Sequence, residues 1–198
     1  MISNINPKGD DVKKIDDFNA ADRISVTLLE NNVFFLTGEI DEDNVNECIR
    51  WIVYENLDQR VEKTLTIYIN STGGDLYQAL GLIDIMRTST HPIRTIGVGT
   101  VMSAAFLIFA SGSPGERYIA PNTGVMCHQF SESTEGKYHD IKAAVKESDS
   151  LNTRMLEILK EATGLPAAKV KSKLLPASDV YMTAQEAIDL NVADQLLL

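Results

Sequence analysis

Three side chains able to perform acyl transfer, Ser103, His128 and Asp179, each stand at the end of a predicted element of this 198-residue chain. In that chemistry a hydroxyl attacks a carbonyl, an imidazole takes its proton, and a carboxylate orients the ring. Each residue also has a plainer reading. Ser103 opens the apolar run "SAAFLIFA" and is the type of residue that caps a helix N-terminus. His128 closes the apolar stretch "GVMCH", where an imidazole serves either packing or proton transfer. Asp179, ahead of "VYM", suits a turn or a cap. Chain order alone proves no triad, so shared placement has to decide.

A second candidate feature is the glycine pair of "INSTGGD" (69–75), which follows a strand and precedes a helix. Glycines there permit positive φ and close backbone approach, and the stretch reads as a tight turn. The pair lacks the spacing of a dinucleotide fingerprint or a phosphate loop.

The elements that must position these residues are legible as alternating strands and helices. "NNVFFLTG" (31–38), "TLTIYIN" (64–70) and "PIRTIGVGT" (92–100) read as strands. Helices are predicted from Asp41, with Val45, Cys48, Ile49, Ile52, Val53 and Leu57 at helical spacing, and over 76–88, with Leu76, Ala79, Leu80, Ile83 and Met86 on one face. Residues 103–110 predict a short helix apolar on every side, hence buried on every side. "ERYIA" and "VMCHQ" read as short strands around "PNTG".

Residues 138–163 form one long periodic segment with Ile141, Val145, Ser148, Asn152, Met155 and Leu159 along a stripe and Gly164 as its stop. At about 1.5 Å per residue it spans about 39 Å, long enough to project and meet another subunit. A short helix near 166–174, the strand "DVYMT", and a capping box at "TAQE" before a helix ending near Leu190 complete the chain. Strands alternating with crossover helices predict an α/β class with a largely parallel sheet.

Composition is that of a globular protein: 44% of residues are hydrophobic and 23% charged. The formal net charge of −10 argues against nucleic acid or an anionic membrane as partner. The longest apolar run is about half of the ~20 residues that span a bilayer. "MISNINPKGDDVKKIDDF" has no apolar h-region, which predicts a cytoplasmic protein with a polar start at 1–22 followed by a single domain at 23–198. Cys48 and Cys127 have no metal-ligand spacing and read as buried thiols.

Taken together, four ordered motifs resemble the proteolytic subunits of the Clp ATP-dependent proteases. "INSTGG" (69–74) is similar to the family's I-N-S-P-G-G, and Gly99 stands four positions before Ser103 as the family's glycine stands before its nucleophile. "SGSPGERYIAPNTGVMCHQ" follows the family's A-G-x-x-G-x-R-x-x-x-P-N-x-x-x-M-I-H-Q without a gap, and "DVYMTAQEA" (179–187) follows D-x-F-[ML]-[ST]-A-x-E-A. The resemblance runs from about Leu28 to the C-terminus.

The resemblance implies the ClpP/crotonase-like fold of repeated β-β-α units with a projecting handle at 130–163, and a serine endopeptidase. Ser103 would be the nucleophile, His128 the general base and Asp179 its orienting acid. Amides of Gly74 and Ala104 would form an oxyanion hole, and Gly73, Asp75 and Leu76 would lie along an extended substrate by strand addition. It implies two stacked heptameric rings enclosing the sites, and an AAA+ unfoldase that uses ATP and threads unfolded protein inward. No metal or nucleotide would be needed by this chain. Residues 1–22 would be an axial loop or a propeptide, and the location would be cytoplasm, an organelle stroma or matrix, or a host cytoplasm for a phage protein.

The chain departs from the pattern at several points. Thr72 replaces a proline with its fixed φ, Ala104 and Ala105 replace Met and Gly after the serine, and Phe130 replaces the proline of H-Q-P. Ala105 would resist any positive φ at that position. About two extra residues, assigned to "KLLPAS", precede Asp179. These departures keep a second reading open, a non-catalytic ring subunit. A crotonase-like acyl-CoA enzyme is a third, for which the Ser-His-Asp set has no evident use.

Overall fold

The computed structural model describes residues 19–57 and 62–197, so of the expected polar segment 1–22, residues 1–18 lie outside the described residues. A parallel sheet runs β1 (Val33–Ile40), β2 (Leu65–Gly74), β3 (Ile93–Met102), β4 (Arg117–Ile119), β7 (Gln195–Leu196). Strand β5 (Gly124–Cys127) pairs parallel with β3, and β6 (Val180–Met182) pairs antiparallel with β5. β3 is therefore forked: residues 95–97 pair with β4, and residues 100–102 pair with β5.

Period-2 burial drives β2 into the sheet, with Leu65, Ile67, Ile69, Ser71 and Gly73 buried and their neighbours turned outward. Helices α2 (Glu42–Glu55) and α3 (Leu76–Thr88) cover the sheet, each capped by an aspartate side chain, Asp41 and Asp75. The buried face of α3 carries Leu76, Ala79, Leu82, Ile83 and Met86, so Leu82 rather than Leu80 is fully inside. In α2 the buried positions are Val45, Cys48, Trp51 and Ile52, whereas Val53 and Leu57 face outward.

All seven residues of α4 (Ala104–Ala110) are buried, packed against β2, β3, α3 and the long helix α5 (Tyr138–Thr163). Full burial of Phe106 and Phe109 contributes about 1.5–3 kcal/mol each. α5 divides into two halves. Its buried residues, Leu151, Met155, Ile158, Leu159 and Thr163, all lie in the C-terminal half, while Tyr138, Ile141 and Val145 are exposed in the N-terminal half. Gly164, at φ +68, ends the helix in the left-handed region.

Helices α6 (Ala167–Lys173) and α7 (Ala184–Asp189) follow, the latter with the capping box of Thr183 and Glu186. The sheet closes through Arg117, which is buried and holds Asp194 with Nε to Oδ2 at 2.9 Å and Nη2 to Oδ1 at 2.6 Å. Burial pushes the Asp194 carboxyl up, but the Arg117 hydrogen bonds and charge outweigh it and hold the group below the usual carboxylate range.

Three further features differ from the sequence reading. "STGGD" is no simple turn: β2 continues through Gly74, and after a register shift between Thr37 and Glu39 of β1 the glycine pair, at φ +106 and +152, resumes pairing with Glu39 and Ile40. The helix α1 (Ala20–Glu30) and the strand β7 are elements that the sequence pattern does not reveal. Among the described residues, no helix is long and apolar enough to cross a membrane.

Candidate active site

Ser103, His128 and Asp179 converge because three paired strands end together. Ser103 follows Met102 at the end of β3, His128 follows Cys127 at the end of β5, and Asp179 precedes Val180 at the start of β6. The ladder registers Met102 with Met126 and Cys127 with Val180, which fixes the three side chains at one rim. Ser103 Oγ lies 2.7 Å from His128 Nε2, and His128 Nδ1 lies 3.6 Å from Asp179 Oδ1. With Nε2 accepting the serine proton, Nδ1 carries the ring hydrogen on the side of Asp179.

Ser103 occupies the N-cap position of α4 without capping it: its side chain makes no cap hydrogen bond and engages His128 instead. Its backbone, at φ +54 and ψ −123, lies in a region that costs a non-glycine residue about 1–3 kcal/mol. The Ser103 N–H donates to Met126 O at 3.0 Å, which ties this conformation to β5. The strain falls on Ser103 and not on Ala105, which lies inside α4; the positive-φ residues other than glycine among those described are Asn32, Ser103 and Asn191.

The glycine pair is required by contact. A Cβ on Gly73 would stand 2.6 Å from Ser103 Cβ and 3.2 Å from the Ala104 nitrogen, and one on Gly74 would stand 2.4 Å from Ile40 O. The β2 terminus therefore lies directly against the serine and the first amide of α4. Asp75 is engaged elsewhere: its N–H donates to Ile40 O at 2.7 Å, and its carboxylate accepts from the Tyr77 and Gln78 amides. Gly99 is pressed against Asn70, whose Oδ1 accepts from the Thr100 N–H at 3.0 Å and braces the fork of β3.

A cavity of about 90 Å³ opens beside Ser103, lined by Gly74, Leu76, Ala104, Leu107, His128 and, from the loop after β5 and from α5, by Phe130 and Met155. Of the expected substrate-contacting residues, Gly74, Leu76 and Ala104 line it. The sequence reading did not assign Leu107, Phe130 or Met155 to a site. The available signal was the polar pair Ser148 and Asn152 on the inner stripe of α5: Asn152 Oδ1 accepts from the Phe130 N–H at 2.8 Å and positions that residue. Larger clefts elsewhere, such as one of about 550 Å³ around Ser89, His91 and Ser113, do not include Ser103, His128 or Asp179. Among the described residues, no three His, Cys, Asp or Glu side chains converge.

The Clp protease family model matches residues 17–197. The ATP-dependent Clp protease proteolytic subunit 1 of Corynebacterium diphtheriae is 32% identical over 171 residues, covering 85% of this chain and 80% of that protein. The match spans every strand that ends at the serine and histidine, and the chain belongs to the Clp protease family.

Proposed function

We propose that this chain is a serine endopeptidase subunit in which Ser103 attacks the scissile carbonyl, His128 takes its proton and returns it to the leaving amine, and Asp179 orients the imidazolium. The observation that carries this reading is the 2.7 Å contact between Ser103 Oγ and His128 Nε2, at strand ends locked by main-chain register. Amides of Gly74 and Ala104, beside the serine in one cavity, stabilise the oxyanion. The end of β2, carrying Gly73 and Gly74 and leading to Leu76, lies alongside the extended substrate.

Family membership and surface chemistry both support self-assembly. Exposed Ile24 and Leu29 on α1, and Tyr138, Ile141 and Val145 on α5, are apolar groups suited to contact between copies. We place the chain in two stacked rings of seven, served by a Clp-type ATPase that delivers unfolded protein, in a cytoplasmic compartment. The ATP is consumed by that partner, and the peptide-bond chemistry is carried by this chain's own side chains and amides.

Reaction with a fluorophosphonate probe tests the assignment. Covalent labelling at Ser103, located by peptide mass and lost in Ser103→Ala, is expected together with hydrolysis of a fluorogenic peptide. An unlabelled Ser103 in assembled protein would identify an inert ring subunit instead.

A further inference from the structure

We infer that Phe130 limits the side chain accepted on the acyl side of the scissile bond to small aliphatic groups and excludes aromatic ones, an assignment that rests on Ser103 being the nucleophile. The cavity beside Ser103 is about 90 Å³. An apolar cavity of about 150 Å³ holds benzene, so by proportion this one holds about three or four carbon atoms. That suits alanine or valine and is too small for a phenyl ring.

Leu76, Leu107, Met155 and Phe130 give the cavity an apolar side opposite the polar one of Ser103, His128, Gln129 and Ser131, and no Lys, Arg, Asp or Glu is among the lining residues. Leu76, Leu107 and Met155 are buried in the core and belong to helices, so they are fixed by the fold. Phe130 is different. It stands on the loop after β5, two residues beyond His128, and its ring packs against the core from outside.

Two anchors keep Phe130 in the wall. Asn152 of α5 accepts its N–H at 2.8 Å, and the neighbouring Gln129 donates from Nε2 to Leu175 O at 3.0 Å and Pro176 O at 3.2 Å. The loop is thus tied on both sides, and the main chain that carries the ring cannot leave without breaking half-buried hydrogen bonds. A side chain held this way discriminates by size, and each carbon that does not fit costs about tenfold or more.

The test uses the assembled full-length protein and two quenched peptides identical except for Ala or Phe before the scissile bond, mixed in one reaction. The kcat/KM ratio should favour Ala by at least about tenfold, fall by at least about tenfold in Phe130→Ala, and take an intermediate value in Phe130→Leu. A wild-type ratio near one, or a ratio unchanged in whichever variants assemble, overturns the assignment while fluorophosphonate labelling of Ser103 keeps the catalytic reading. Absence of both labelling and cleavage overturns both.

Discussion

The Asp179 carboxylate stands 3.6 Å from Nδ1 of His128, across a ladder in which Cys127 pairs with Val180. That separation exceeds a hydrogen bond, yet it leaves the carboxylate beside the ring that becomes cationic in the proposed mechanism. Asp179 is also about half exposed. Asp179→Asn should retain the fold and lose on the order of 10⁴ in kcat, because the neutral amide no longer stabilises the imidazolium or selects its tautomer. Peptide hydrolysis by Asp179→Asn at the wild-type rate would remove Asp179 from the mechanism.

Ser103 carries both the proposed nucleophilic hydroxyl and a strained backbone, which separates activity from stability. Ser103→Ala and Ser103→Gly should each lose on the order of 10⁶ in kcat. Ser103→Gly should nevertheless be the more stable of the two by about 1 kcal/mol, since glycine adopts positive φ at little cost. Urea unfolding of the two inactive proteins provides the comparison.

Gly73 has no room for a methyl group, since a Cβ there would meet Ser103 Cβ at 2.6 Å and Met102 O at 2.9 Å. Its φ of +106 adds a second penalty. Gly73→Ala should displace the serine and reduce peptide hydrolysis by about 10² or more, with about 1–3 kcal/mol lost from stability. Thermal unfolding and kcat measured on one preparation would show both effects.

The Arg117–Asp194 pair links β4 to the turn before β7 and is aided by Arg117 Nη1 donating to Ala162 O at 2.7 Å. Asp194→Asn should cost about 3 kcal/mol by leaving a buried guanidinium without its counter-charge. The folded-state pKa of Asp194 is depressed, so its stabilisation is present above the unfolded value of about 3.9 and is lost as pH falls through the folded value. The gap in denaturant midpoint between wild type and variant, constant at neutral pH, should narrow as pH falls below about 3.9.

Cys48 and Cys127 are buried, and burial pushes both thiols well above their usual range. Neither should react with a thiol reagent in the native protein at neutral pH, although Cys127 adjoins His128. Titration with an aromatic disulfide should report both thiols only after denaturation.

The three candidate catalytic positions were legible because each borders a β-rich run whose end shows in the sequence. Their joint meaning came from the motif order, since Ser103 in isolation reads as a cap, and the geometry keeps the cap position while withdrawing the cap hydrogen bond. What stayed hidden was non-local. The Gly74 approach to Ile40 depends on register between β1 and β2, and the His128–Asp179 separation depends on how the loop at 174–178 is drawn in by Gln129. Helix α1 escaped notice because none of its residues is buried, so it leaves no core-facing stripe to read. β7 is two residues long and is defined by its partner.

The fork in β3 makes the reacting geometry a property of main-chain alignment. A slip of one residue between β5 and β6 would carry Asp179 about 3.4 Å along the rim and turn it to the opposite face. The five-strand path from β1 to β7 would be untouched by such a slip. The position of Asp179 is therefore set by a strand pairing that lies off the main path, so a lesion in β6 and a lesion in the main sheet are separately measurable in this chain.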